Sequence, residues 1–300
     1  MAKNSEQMAT LLVLAAGILW GTMGLFVRPL TELGLSSLQI AAGRFLAAGV
    51  IYAIILTIRN PRLWRVHVRD IPLFLGLGIV SVAFFTVCYF TSIQMMSMST
   101  AAILLYTSPI WVMLMSIAVF KEKLSARKVA ALVLAFAGCV CVSGLGGSVS
   151  ALGVLIGLGS GIGYALYSII GTFALRKYDS LTVTTYAMLI AGVATLLVCD
   201  PASLASTLGS TSTPLLGSTA ISLAFLVAMG IVTAAAPYLL YTLGLKRAGA
   251  SRAAILATIE PITATILGTA VFGEALTALS IIGIVCVVAA IVILNVKKGA

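Results

Sequence analysis

Charge is what this chain has least of: charged residues fill 9% of its 300 positions, with 8 Asp and Glu against 18 Lys and Arg. A soluble domain carries roughly a quarter, so a surface built for water is excluded. Histidine occurs once, at His67, in the basic stretch Asn60 to Asp70, where it reads as a solvated residue beside anionic lipid. The five cysteines, Cys88, Cys139, Cys141, Cys199 and Cys286, sit in or beside apolar runs, with no loop context for a disulfide. Cys139 and Cys141 point to different faces of a helix, so a metal site is not expected either. There is no Gly-rich phosphate loop, nucleophile arrangement or separate polar domain, so nothing supports ATP hydrolysis, an enzyme or a cofactor.

What is present is apolar: 61% of residues are hydrophobic and the mean hydropathy is +1.18. Ten runs approach the 20 or so apolar residues that cross the hydrocarbon of a bilayer. They are Ala9 to Leu30, Leu35 to Ile58, Ile71 to Met95, Thr100 to Phe120, Val129 to Leu145, Ala151 to Leu175, Leu181 to Val198, Ala220 to Leu245, Arg252 to Phe272 and Ala275 to Val296. They are continuously apolar and lack the two-residue alternation of a barrel strand, which predicts an all-α integral membrane protein of ten helices. Asp200 to Thr219 reads as an external loop without periodicity.

The charge that exists is one-sided. With the amino terminus placed in the cytoplasm, the cytoplasmic ends and loops collect every Lys and Arg except Arg28 and Arg44. The positive-inside rule therefore predicts a multi-pass protein with both termini cytoplasmic. The net charge of +10 then reflects topology and an attraction to anionic membrane lipid, and calls for no nucleic acid.

The octet AVFKEKLS at Ala118 to Ser125 returns as AVFGEALT at Ala270 to Thr277. A gapless offset of 152 aligns Leu77 to Leu124 with Met229 to Leu276, and about 17 of those 48 positions are identical, among them Gly78 and Gly230, Tyr89 and Tyr241, and Pro109 and Pro261. The chain divides into two repeats, 1–146 and 147–300. Each holds five spans, an odd number, so the second is expected upside down relative to the first. The loops exchange charge accordingly: Lys121-Glu122-Lys123 becomes Gly273-Glu274-Ala275, while the uncharged Gln94 to Thr100 becomes Lys246 to Arg252 with three basic residues. Inverted repeats are associated with secondary transporters, whose two halves expose one midplane site to each side in turn. A facilitative channel is the competing reading, but no repeated carbonyl filter or ring of like charges is visible.

Several short motifs carry a resemblance. They are Leu19-Trp20-Gly21-Thr22, Gly43-Arg44-Phe45, Tyr106-Thr107-Ser108-Pro109 with Phe120-Lys121-Glu122, and Ile259-Glu260-Pro261 with Phe272-Gly273-Glu274. Over its whole length the chain resembles the drug/metabolite transporter superfamily, in the ten-helix branch built of two EamA domains. The resemblance implies a basket of helices around a central cavity with the fifth and tenth helices peripheral. It also implies residence in a bacterial cytoplasmic (inner) membrane and export of small metabolites, amino acids or drugs; a monomer or a homodimer is expected.

Only Arg44 and Glu260 place ionisable groups deep in the runs, and such groups are functional candidates by default. Each lies about nine residues from one end of its helix, near the midplane at 1.5 Å per residue. Arg44 suits a substrate carboxylate and Glu260 a substrate ammonium or a coupling proton; alternatively the two form a buried structural pair. Pro261 and Pro109 break helices at corresponding positions of the two halves, the pattern expected of a site with hinges. Trp20, Tyr89, Tyr106, Tyr164, Tyr167, Tyr238 and Tyr241 fall in the bodies of helices rather than at interfacial belts, and as a set they suit an apolar or aromatic amino acid or a cation held over ring faces. Gly17 with Gly21, and Gly153, Gly157 and Gly161, form ridges for close helix packing. These features predict secondary active export of a small metabolite such as a neutral amino acid, with an organic-cation or multidrug exporter as the alternative.

Overall fold

The computed structural model describes residues 2–144, 149–210 and 219–296. Among these residues there is no strand, and ten helices are long and apolar enough to span a membrane. They are α1 (Glu6–Glu32), α2 (Ser37–Arg59), α3 (Val68–Met95), α4 (Met98–Phe120), α5 (Ala126–Ser143), α6 (Ala151–Ala174), α7 (Ser180–Val198), α8 (Leu223–Ala248), α9 (Ala250–Phe272) and α10 (Ala278–Asn295). Helices are the only open-ended solution here, because lipid offers no partner to a free backbone N–H or C=O. Their starts are capped by side chains where the chain re-enters: Ser36 and Gln39 form a reciprocal capping box at α2, and Ser125, Ser150, Asp179 and Thr277 accept backbone N–H groups at α5, α6, α7 and α10.

One expectation is corrected. Within Asp200 to Thr219, Pro201–Ser210 is helical. Asp200 adopts a φ of 61° and its carboxylate accepts the Ala202 N–H at 3.2 Å, while Pro201 takes a first-turn position where no amide is needed. Residues 211–218 lie outside the described residues.

The duplicated sequence gives duplicated backbone. α4 ends at Lys121 in the left-handed conformation, with the Glu122 N–H donating to the Ser116 carbonyl at 3.2 Å. α9 ends at Gly273 in the same conformation, with the Glu274 N–H donating to the Gly268 carbonyl at 3.2 Å. Both copies also widen into π-helical turns, Gly76–Ala83 in α3 and Ile231–Ala235 in α8. Both break at the prolines. α4 is interrupted at Tyr106 and Thr107, and α9 tightens into a 3₁₀ turn at Ala257–Ile259; Pro109 and Pro261 each sit in the first turn of the helical segment beyond the break.

Close contacts at small residues show how the halves interlock. Gly244 of α8 seats on Val13 and the Ala9 carbonyl of α1, and Gly163 of α6 seats on Phe84 and Phe85 of α3. Gly49 and Gly192 bring α2 and α7 backbone to backbone, as Gly138 and Gly283 do for α5 and α10. Met113 of α4 and Ile255 of α9 share one buried cluster. Exchanging each helix with the one five places on maps every one of these pairings onto another or onto itself. α5 and α10 are peripheral, with 22% of each span buried against 56% for α2 and α7.

Candidate functional site

The aromatic residues of α1, α6 and α8 converge. The Trp20 ring meets Tyr164, Tyr238 and Tyr241 at centroid distances of 6.1, 5.3 and 5.4 Å, and Tyr167 meets Tyr238 at 5.2 Å. Tyr238 and Tyr241 stand one helical turn or two beyond the π-helical turn of α8, and Phe85 is the second residue beyond that of α3. A widened turn advances the register of the residues after it, and π-bulges recur at functional sites for that reason. The rings and Ser168 enclose a small void of about 10 Å³. Trp20, Tyr167, Tyr238 and Tyr241 are buried, while Tyr164 is half-buried.

Two of the hydroxyls have partners inside the bundle. The Tyr167 hydroxyl pairs with Thr242 Oγ1 at 2.9 Å and the Tyr241 hydroxyl with Ser168 Oγ at 2.7 Å, tethering α6 to α8. What Tyr167 and Tyr241 present to the void is therefore ring surface. Phe85 and Ser168 are site residues that the sequence reading misses. A signal exists, since Phe85 stands four residues before Tyr89 and Ser168 beside Tyr167, but neither residue type is rare enough in a membrane helix to draw notice.

The two deep charges stand near this cluster without joining: Phe45, next to Arg44, meets Tyr238 at 6.5 Å, and the Glu260 backbone lies against Gly21, next to Trp20. Arg44 is 5% exposed; its Nη1 donates to Met23 Sδ at 3.2 Å, and the guanidinium carbon stands 4.6 Å over the Phe45 ring. Its Nε is buried and has no partner. Glu260 opens the second segment of α9 and is half-buried. Among the described residues its carboxylate takes part in no ion pair or hydrogen bond, and the four ion pairs present are Arg28–Glu274, Lys128–Glu122, Lys177–Asp70 and Arg252–Glu6. Tyr89 leans on Phe90 at 5.5 Å, and Tyr106 packs with the cluster that holds Cys139, Ile262 and Val287.

The glycine ridges rest on the helix breaks. A Cβ on Gly21 would lie 2.7 Å from the Glu260 carbonyl oxygen, and one on Gly17 3.0 Å from that of Ala257. A Cβ on Gly161 would lie 2.7 Å from the Leu104 carbonyl oxygen, just before the break in α4. Each half thus supplies the smooth surface on which the other half's broken helix sits. Pro109 and Pro261 are buried at these junctions.

A latch closes one end. Glu122 lies just past α4, and its carboxylate accepts from Ser251 Oγ of α9 at 2.6 Å and from Lys128 Nζ of α5. From Ala253 to Thr258 every residue of α9 is buried; at Ile259 and Glu260 it becomes half-buried. Burial opposes the Glu122 charge, but the hydrogen bonds from Lys128 and Ser251 outweigh it and hold the carboxyl below its ordinary value of 4.5. A carboxyl depressed in the folded state lends stability above its unfolded pKa and loses it as pH falls through the folded one. The difference in melting temperature between the parent and Glu122→Gln is therefore expected to shrink as pH is lowered below about 4.5, as a melting series in detergent from pH 7 to pH 3 will show. A difference constant over that range refutes the latch.

Comparison with known proteins gives consistent findings. The family model described as "EamA-like transporter family" matches residues 7–144 and again 151–296. An uncharacterized transporter of Archaeoglobus fulgidus is 27% identical over 83% of this chain and 85% of its own length. The uncharacterized transporter YwfM of Bacillus subtilis is 26% identical over 95% of this chain and 93% of its own. A protein crystal structure 20% identical in sequence superposes with a TM-score of 0.77 over 96% of both chains, which shows the shared fold.

Proposed function

Since the chain belongs to the EamA-like transporter family and is a membrane transporter, we propose that it carries a small zwitterion, a neutral amino acid with an apolar or aromatic side chain, out of a bacterial cytoplasm by alternating access. The observation that carries this reading is the pair of opposite charges, Arg44 and Glu260, buried or half-buried within the spans, next to residues that touch the aromatic cluster, and not paired with each other. A ligand with a carboxylate and an ammonium satisfies both at once, with Arg44 forking the carboxylate, Glu260 taking the ammonium, and Trp20 and Tyr238 flanking the side chain. The void, at about 10 Å³, is about the room of a single water, so a substrate enters only when the helices that carry the rings move apart.

Transport arises from the breaks. α4 and α9 are interrupted at Tyr106–Thr107 and Ala257–Ile259, which lets their halves tilt about the midplane site. The described state is closed at the Glu122 end, which in the proposed topology faces the cytoplasm. Glu260 also suits exchange of the substrate ammonium for a proton, which would tie export to the proton gradient.

The test is a thermal-shift screen of the purified protein in detergent against neutral amino acids, polyamines, quaternary ammonium compounds and nucleobases, repeated with Glu260→Gln. A ligand at 100 times its Kd adds about 2.7 kcal/mol. Stabilisation by neutral amino acids that vanishes in Glu260→Gln is the expected result. Stabilisation by monovalent cations alone replaces the zwitterion with an organic cation, and no shift from any class removes the assignment of this site.

A further inference from the structure

A second, larger cavity lies elsewhere, at the end of the molecule where α2 connects to α3 and α6 to α7. It has a volume of about 610 Å³ and opens to the surface, with Arg62, Arg65 and His67 on one wall and Lys177, Tyr178 and Thr182 on the other. The first wall is held by the second. Thr182 Oγ1 donates to the Leu63 carbonyl at 3.0 Å and the Tyr186 hydroxyl to that of Trp64 at 2.8 Å. The Tyr178 hydroxyl accepts the His67 N–H at 3.1 Å and donates to Asp70 at 2.7 Å. The connector is thus a fixed wall.

The acidic groups of the cavity are already engaged. Asp70 takes Lys177 Nζ at 2.6 Å as well as Tyr178, and Asp179 caps α7 by accepting the Leu181 N–H at 2.9 Å. The guanidinium groups of Arg62 and Arg65 are left with no hydrogen bond or ion pair among the described residues. Both come within six residues of Arg59, the last residue of α2, and so stand at the level where a span leaves the hydrocarbon. Two unpaired guanidinium forks on a rigid wall match the oxygens of a phosphate group.

We propose that this cavity is a specific site for a phosphate-bearing anion, gripped by Arg62 and Arg65. The headgroup of an anionic phospholipid and a soluble phosphate share that chemistry, and the experiment separates them. Purified protein in neutral detergent is titrated with phosphatidylglycerol against phosphatidylcholine in mixed micelles, and separately with inorganic phosphate against chloride at matched ionic strength, reading the melting temperature. Two double variants remove the same charge from the same side of the protein: R62Q/R65Q, and K121Q/K123Q outside the cavity.

The expected result is a saturable rise with phosphatidylglycerol whose midpoint moves to about tenfold higher concentration or more in R62Q/R65Q and stays in place in K121Q/K123Q. The same dependence with inorganic phosphate, and none with the lipid, assigns the site to a soluble anion. A rise that never saturates, or one weakened equally in both double variants, is diffuse surface attraction and overturns the proposal, as does no response to either probe.

Discussion

Arg44→Met is expected to make the empty protein more stable and to leave it unable to bind its substrate. Arg44 is 5% exposed, donates to the thioether of Met23, and keeps a buried Nε without any acceptor. A buried donor left unmade costs about 1–3 kcal/mol, more when charged. Met fills much of the same length with no donor, so the ligand-free protein gains about that amount, at roughly 2–4 °C per kcal/mol for a chain of this size or somewhat smaller. Binding moves the other way: losing one partner of a buried charge pair costs about 2–5 kcal/mol, or at least about thirtyfold in affinity. The opposite signs discriminate between the two roles open to Arg44. Had Arg44 and Glu260 been a locked structural pair, removing one partner would destabilise the fold by about 3–5 kcal/mol. Melting curves of parent and variant, each with and without the stabilising amino acid, decide it; a lower melting temperature for the empty variant refutes the substrate role.

That contrast also marks how far the sequence could be read. The ten spans were legible because lipid leaves a chain one solution, and caps such as Ser36 and Asp179 stand where the runs begin. The breaks at Pro109 and Pro261 were legible because proline acts on its own helix. The π-helical turns of α3 and α8 were not, since no residue type demands them; the identities Gly78 with Gly230, Ile79 with Ile231 and Val80 with Val232 mark a shared segment but not its helix type. Arg44 and Glu260 stood out by rarity, and counting residues placed both at mid-depth. Counting along an axis gives no azimuth, so whether they touched depended on the packing of α2 against α7 and α8 and of α9 against α1. For the same reason Tyr167 and Tyr241 were recognisable as a site's aromatics, while their tethers to Thr242 and Ser168 were not.

Single methyl groups added to the glycine ridges are expected to stop the transporter without emptying its site. Alanine at position 21 would place Cβ 2.5 Å from Thr263 Cβ and 2.7 Å from the Glu260 carbonyl oxygen; at position 161, 2.5 Å from Thr107 Oγ1 and 2.7 Å from the Leu104 carbonyl oxygen. Backbone oxygen cannot rotate away, so the helices must part, at about 1–3 kcal/mol of overpacking. Neighbouring glycines provide the control. Gly24 meets nothing within 4 Å and Gly159 meets only ordinary contacts from 3.5 Å, so Gly24→Ala and Gly159→Ala lose no packing and gain up to about 1 kcal/mol of helix propensity. The functional effect exceeds the stability effect because the ridges bear on the broken segments of α9 and α4, which in the proposed cycle slide over them as the site changes sides. In vesicles, Gly21→Ala and Gly161→Ala are expected to slow counterflow by about tenfold or more, since each 1.4 kcal/mol added to the barrier is tenfold in rate. The amino-acid-induced thermal shift should survive in both, because neither glycine lines the void. If both variants fold and exchange substrate at the parent rate, the breaks are static kinks, and the motion that exposes Glu260 to each side must be sought between the halves as rigid bodies.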